Sequence, residues 1–281
     1  MEPMLMDELI ERALAEDLAG GDPTSTATVP AGVVARARMV AKAPLVVCGL
    51  AVAARVFERV DPSLRWSAQA ADGQSVVAGT CLATIEGDAR GLLAAERTAL
   101  NLIQRMTGTA TMTRAFVDAA AGRCRIVDTR KTTPGLRTVQ RYAVRCGGGH
   151  NHRDNLGGGV LIKENHVRAA GGVGAAVTAA RTHASHALRI ECEVTDFQEL
   201  KDALEAGADV VMLDNMDDDQ VREAVAIVDG RALIEVSGNV ALPRVAALAG
   251  LGIDIISVGA LTHSAPAADV SLLFEAEGAP A

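Results

Sequence analysis

Arg130, Lys131, Arg153 and Lys163 are the residues in this chain best suited to hold an anionic ligand. They fall within 123–168, where ten lysines and arginines face only Asp128, Asp154 and Glu164. The 281-residue chain as a whole is acidic, with 27 Lys+Arg against 35 Asp+Glu and a formal net charge of -8. Arginine grips carboxylate or phosphate through a two-pronged fork, and lysine acts as a point charge. Gly147, Gly148 and Gly149 interrupt the same stretch, and glycine lets backbone approach a ligand closely. A local positive region inside a negative protein predicts a pocket for a small polyanion. The plainer reading, a solvated basic face balanced by surface acids, is weakened by the local shortage of acids.

Two carboxylates, Glu193 and Asp214, follow apolar runs further along. Facing one polyanion they would repel it unless a cation bridges them or sugar hydroxyls donate to them. Mg²⁺, bound through one or two carboxylates and substrate phosphates, fits that pairing; balancing nearby lysines is the alternative. Ser237, Gly238 and Asn239, then Gly259, Ala260, Leu261 and Thr262, follow the last two apolar runs. Backbone N–H groups of such turns cradle a monophosphate in parallel barrels, although ordinary glycine turns read the same way. His150, His152 and His166 lack thiolates at ligand spacing and sit among cations, which disfavours zinc. His152 is instead expected to donate to an anion beside Arg153, with His150 and His166 structural. No G-x-S-x-G elbow occurs, and no nucleophile for covalent catalysis stands out.

The elements that must carry these residues divide the chain in two. Residues 7–18 show helical apolar spacing, 33–43 alternate as a strand with Arg36, Arg38 and Lys42 on one face, and 49–60 read as helix. Runs at 64–69 and 80–86 flank a turn at Asp72-Gly73, and a long helix is expected from Asp88 to Met106. From Arg125 the rhythm becomes β-α: strands at 125–129, 160–163, 188–194, 209–214, 232–237 and 253–259 alternate with helices at 138–145, 172–182, 196–206, 217–228 and 241–249. Such alternation predicts a parallel sheet covered by helices. With no G-x-G-x-x-G opening, an incomplete parallel α/β barrel preceded by a small α+β sandwich domain is favoured over a doubly wound sheet. The expected division is 1–108 for the N-terminal domain, 109–265 for the barrel and 266–281 for a tail returning to the N-terminal domain. Each expected strand ends in polar residues or glycine, the face on which parallel barrels build active sites.

Composition narrows the classes. Aromatics make up 2% of residues, too few for stacking platforms on single-stranded nucleic acid, and the acidic balance also argues against nucleic acid or an anionic membrane surface as partner. Five cysteines without CxxC spacing fit a reducing compartment rather than a disulfide framework. No apolar run is long enough to span a bilayer and the N-terminus has no signal pattern, so a cytoplasmic address is expected.

At the level of motifs the chain resembles the nicotinate-nucleotide pyrophosphorylase, or quinolinate phosphoribosyltransferase, family. The matching pieces run nearly end to end: 13–18 with Gly21-Asp22, 95–101, 128–137, 147–153, 161–166, 191–194, 212–215, 237–239 and 258–264. The resemblance implies quinolinate and phosphoribosyl pyrophosphate as substrates, Mg²⁺ as cofactor, and a homodimer or a multiple of dimers. It implies a pentosyl transfer with decarboxylation, carboxylating in the reverse direction, that gives nicotinate mononucleotide, carbon dioxide and pyrophosphate in NAD biosynthesis. Carried over by position, Thr129, Arg130, Lys131, His152, Arg153 and Lys163 would hold the two quinolinate carboxylates and the pyrophosphate. Lys131, Lys163, Glu193 and Asp214 would be catalytic, with Glu193 and Asp214 also at the metal and ribose hydroxyls. Ser237, Gly238, Asn239, Gly259, Ala260 and Leu261 would take the 5′-phosphate, and Arg97 would cross into a partner's site. Gly157-Gly158 replaces an acid common in the family, and Cys192 a valine. Two other readings compete: the paralogous protein associated with molybdenum transport, and a non-enzymatic binder of a phosphate ligand.

Overall fold

The structure is a computed structural model describing residues 3–275; of the tail expected over 266–281, residues 276–281 lie outside the described residues. The chain forms two compact units. In order its elements are α1 (Pro3–Leu18), α2 (Pro23–Thr28), β1 (Val34–Ala41), β2 (Leu45–Val46), α3 (Leu50–Val60), β3 (Arg65–Ala68), β4 (Ser75–Val76) and β5 (Cys81–Asp88). Next come α4 (Ala89–Ala120), β6 (Arg125–Val127), α5 (Arg137–Cys146), β7 (Val160–Ile162), α6 (Glu164–Ala170) and α7 (Val173–His183). The chain continues through β8 (Ile190–Val194), α8 (Phe197–Glu205), β9 (Val210–Asp214), α9 (Asp218–Val228), β10 (Leu233–Ser237) and α10 (Leu242–Ala249). It ends with β11 (Ile255–Ser257), α11 (Ala260–His263) and β12 (Val270–Phe274).

The first unit takes the chain through Arg114, Thr132–Gly148, and everything from Thr262 on. Its main sheet is antiparallel in the order β12-β1-β5-β3, and β2 pairs with β4 in a small second sheet. The alternation in β1 does what its sequence demands. Ala37 and Met39 are buried, while Arg36 and Arg38 stay outside and both reach Glu275, at 3.2 and 3.1 Å. Ile10, Phe57, Leu82, Ile85, Leu92, Ile103 and Met106 form the core beneath.

Two of the expected helices behave differently in the structure. The long helix does not stop at Met106 but runs to Ala120, because Ala110, Thr113, Phe116 and Ala120 continue its buried stripe. Gly108 inside it marks a close approach rather than a break: a Cβ there would lie 1.9 Å from the carbonyl oxygen of Pro266. The helix expected at 138–145 forms as α5, but Val139 and Ala143 pack into the core of the first unit rather than onto the parallel sheet.

The second unit comprises Ala115–Lys131 and Gly149–Leu261. All six strands expected after Arg125 form one parallel sheet in the order β6-β11-β10-β9-β8-β7, an incomplete α/β barrel whose edges are β6 and β7. Helices present apolar stripes to it, such as Val221, Ala224 and Val228 of α9. Asp196 caps α8 by accepting from Gln198 N and Glu199 N, and Asp217 with Gln220 forms a capping box on α9. At the amino ends of the strands, Asp209 accepts from Ile190 N at 2.7 Å and Asp254 from Ile234 N at 2.8 Å, stitching neighbouring strands together. Beside β6, His150 makes a parallel bridge to Val127, so the chain at 150 lies along an edge that no full strand covers.

Candidate active site

In a strand, alternate side chains share a face. On the inner face of the parallel sheet this aligns Glu191 with Glu193, Met212 with Asp214, Glu235 with Ser237, and Ile255 with Ser257. At the carboxyl ends lies a cavity of about 120 Å³. Of the residues singled out from sequence, Thr129, Arg130, Lys131, His152, Arg153, Lys163 and Ser237 line it together. Leu161, Met212, Glu235 and Ser257 complete the wall. Two apolar side chains between four cations suit a flat ring bearing acidic groups better than a fully hydrated phosphate.

The 150–153 segment is held at both ends. His150 N donates to Ile126 O at 2.8 Å, and Asp128 N donates to His150 O at 3.1 Å. The fully buried Asp128 accepts from Asn151 Nδ2 at 2.6 Å and from His152 N at 2.8 Å. The His152 ring lies between two buried acids, Nε2 being 3.1 Å from Glu191 and 3.5 Å from Glu235, while Nδ1 accepts from Arg153 N at 2.8 Å. Burial opposes a charged ring, and the carboxylates of Glu191 and Glu235 both face Nε2, where they favour a ring proton. The Arg153 N–H aimed at Nδ1 works against a second ring proton, which would face a donor. The proton the ring keeps is therefore on Nε2, between the carboxylates. Both nitrogens thus have partners inside the protein.

Arg153 is the most exacting of the cations. Nη1 donates to Gly159 O at 3.0 Å, folding the 153–159 loop back, and Nε is buried without a hydrogen-bond partner. Burial first, and then the charge of Arg130, push its pKa below the usual guanidinium range. It remains charged, and a ligand carboxylate would relieve both the lost hydration and the repulsion. Gly158, expected to matter as a missing acid, packs against this turn: a Cβ there would sit 3.1 Å from Asp154 Oδ1 and 3.3 Å from Arg153 Cβ.

Lys163 donates through Nζ to Glu193, and its backbone N donates to Nδ1 of His166 at 2.9 Å, which caps α6. Asp214, at the end of β9, accepts from Asn215 Nδ2 at 2.8 Å. Next to it, Gly238 adopts φ +88° and a Cβ there would lie 2.4 Å from Asn215 Oδ1. Glu193, Asp214, Gly238, Asn239, Gly259, Ala260 and Leu261 are not among the residues lining the 120 Å³ cavity. The Leu261 side chain is fully buried, which leaves only its backbone for a ligand. Arg97 belongs to the first unit.

Glu191, Glu235 and Ser257 were not anticipated. Reading only the last residue of each strand hides them. The signal was present in Glu191-Cys192-Glu193 and Ile234-Glu235-Val236-Ser237, where an acid occupies the inward position of a buried strand. His152, Glu191 and Glu235 bring three metal-type donor atoms within 4.8 Å, as do Cys48, Asp72 and Cys146 in the first unit. In the former the Nε2 proton occupies the ligand position. In the latter Asp72 is already committed, to Gly49 N, Leu50 N and the Tyr142 hydroxyl. Glu193 and Asp214 offer oxygens only, the donor type a hard cation takes, with Glu193 paired to Lys163 and Asp214 to Asn215.

Residues 22–107 match the N-terminal domain and residues 109–273 the C-terminal domain of quinolinate phosphoribosyl transferase. A nicotinate-nucleotide pyrophosphorylase (carboxylating) of Mycobacterium leprae is 46% identical over 272 residues, covering 94% of this chain and 95% of its own. A probable nicotinate-nucleotide pyrophosphorylase (carboxylating) of Synechocystis is 41% identical, covering 96% of this chain and 92% of its own. The solved nicotinate-nucleotide pyrophosphorylase of Francisella tularensis superposes with a TM-score of 0.93 at 40% identity, covering 98% of each chain. With both of its domains matched and relatives this similar along nearly their whole length, the chain belongs to the quinolinate phosphoribosyltransferase family.

Proposed function

We propose that this protein transfers the phosphoribosyl group of phosphoribosyl pyrophosphate to the nitrogen of quinolinate and releases carbon dioxide, giving nicotinate mononucleotide and pyrophosphate for NAD biosynthesis. The observation that carries the reading is the convergence of Arg130, Lys131, Arg153 and Lys163 on one cavity that also has apolar walls, Leu161 and Met212. That wall holds quinolinate by its two carboxylates and aims the ring nitrogen at C1 of the ribose, and such positioning supplies several kcal/mol of barrier lowering.

As the C1–O bond breaks, positive charge grows on the sugar and negative charge on the departing pyrophosphate. Lys131 and Lys163 neutralise the leaving group, and Glu193, held by Lys163, faces the cationic sugar with Asp214. Glu193 and Asp214 are the residues that would hold Mg²⁺, which supplies charge neutralisation on the phosphates when bound. The new N–C bond leaves the ring nitrogen positive. That charge, next to C2, stabilises the carbanion left there when the C2 carboxylate departs as carbon dioxide, and a proton from water then takes the carboxylate's place at C2. Ser237, Gly238 and Asn239, with the backbone of Gly259, Ala260 and Leu261, receive the 5′-phosphate.

The family resemblance supports a homodimer or multiple of dimers in which Arg97 reaches the partner's site, acting on small molecules, and the free cysteines fit the reducing cytoplasm. Among the described residues no helix is long and apolar enough to cross a membrane. The test is turnover: purified protein with quinolinate, phosphoribosyl pyrophosphate and Mg²⁺ yields nicotinate mononucleotide and one carbon dioxide per product. No nucleotide from quinolinate would overturn the assignment.

A further inference from the structure

Glu191 and Glu235 have no part in the reaction as derived above, yet they are among the most deeply buried acids of the second unit, Glu235 being only 1% exposed. Burying two carboxylates side by side disfavours folding unless they are paired, and apolar residues of similar volume would serve a core better. Each also keeps one oxygen, Oε1, without a hydrogen-bond partner. A purely stabilising role does not account for them.

Their other oxygens meet a single side chain. Oε2 of Glu191 and Oε2 of Glu235 lie 3.1 and 3.5 Å from His152 Nε2. On the far side of the ring Nδ1 accepts from the backbone N–H of Arg153. The imidazole is therefore a strut, with the acids of two strands at one end and the Arg153 peptide at the other. Asp128 fixes its backbone end by accepting from His152 N. A side chain tied at its backbone and at both ring nitrogens has one orientation available. Should the ring turn, Arg153 N loses its acceptor, and the guanidinium with its buried, unpartnered Nε loses its aim.

We propose that Glu191 and Glu235 are positioning residues for the acceptor pocket. Through the His152 ring they hold the Arg153 peptide, and with it the guanidinium, in the orientation that receives a carboxylate of the aromatic acceptor. The inference deepens the acceptor-pocket reading and rests on it. Neither glutamate touches the reacting atoms in this scheme, so its mark is selective: affinity for the dicarboxylate falls, while handling of the sugar phosphate does not.

The experiment uses the full chain carrying Glu235→Leu, Glu235→Gln or Glu191→Leu. Quinolinate affinity is read by calorimetry, and KM and kcat are read for both substrates. Wild-type turnover comes first, and its absence sinks the substrate assignment rather than the positioning role. With wild type active, Glu235→Leu is expected to weaken quinolinate binding by about tenfold or more, the effect of misaiming one charge-assisted hydrogen bond. KM for phosphoribosyl pyrophosphate should stay within about twofold, because its contacts are independent of the strut. Glu235→Gln, whose amide oxygen still accepts from Nε2–H, should recover most of the lost affinity. Adding His152→Ala to Glu235→Leu should cost little more than either change alone, since both cut the same strut. Glu191→Leu is read in the same way if Glu235→Leu does not fold. Equal rises in both KM values, additive losses with His152→Ala, or unaltered quinolinate affinity in the leucine variants would overturn the proposal.

Discussion

Asp128 and His152 are joined through the backbone: Oδ1 of the fully buried aspartate accepts His152 N at 2.8 Å, while Oδ2 accepts Asn151 Nδ2 at 2.6 Å. One carboxylate thus organises the turn that delivers Arg153. Asp128→Ala is expected to cost at least about 1.5–3 kcal/mol, the worth of a hydrogen bond to a charged group. Denaturant unfolding measures this, and an unchanged midpoint would remove the role given to Asp128.

The cations of the cavity differ in how replaceable they are. Arg130→Ala and Lys163→Ala should each lower kcat/KM for quinolinate about ten- to a hundredfold, equivalent to roughly 1.5–3 kcal/mol. Arg153→Lys should fall in the same range despite keeping its charge, because lysine lacks the planar fork that spans Gly159 O and a ligand. Near wild-type kinetics in all three would dismantle the cationic wall.

Gly238 is placed where a side chain does not fit. Gly238→Ala must accommodate a Cβ 2.4 Å from Asn215 Oδ1 at φ +88°. Asn215, bonded to Asp214, is displaced. KM for phosphoribosyl pyrophosphate should rise about tenfold or more, as for loss of a charge-assisted contact, with quinolinate affinity little affected. The reverse pattern would move the phosphate site elsewhere.

Asp209 gives the sheet an acid limit. Burial pushes its carboxyl up, but the Ile190 N–H and Arg181 outweigh burial and hold it below the usual value. A depressed folded-state pKa means stability that is present above the unfolded pKa and lost as pH falls through the folded one. Wild type should therefore exceed Asp209→Asn in stability at neutral pH, with the gap closing below about pH 4. Unfolding midpoints at several pH values check this, and a gap that does not vary with pH would contradict it.

Removal of divalent cations with a chelator should abolish turnover, and added Mg²⁺ should restore it. Glu193→Gln and Asp214→Asn should each raise the Mg²⁺ concentration needed for half-maximal rate, because each removes a charged oxygen from a hard-cation donor set. Turnover in excess chelator would exclude the ion from the reaction.

The parallel sheet was legible because each strand is an apolar run closed by a polar residue, and Lys163 and Ser237 sit where that pattern put them. Glu191 and Glu235 escaped because an apolar interior is the ordinary expectation, and only the alternation within β8 and β10 shows that they face inward. α6 escaped for the opposite reason. Lys163-Glu164-Asn165-His166 looks like chemistry, yet His166 is spent capping the helix through Lys163 N. The amphipathic pattern of 137–146 shows a helix but not which core it serves, and Val139 and Ala143 join that of the first unit. Periodicity encodes an element's face, whereas its partner is decided by packing across distant sequence.

β6 and β7 are the free margins of the parallel sheet, and the 150–159 segment lies between them in the chain with only a single bridge, at His150. Residues in that seam answer to side-chain anchors and not to a repeating ladder of peptide bonds. Loop length and composition there can therefore vary without shearing the hydrophobic strands.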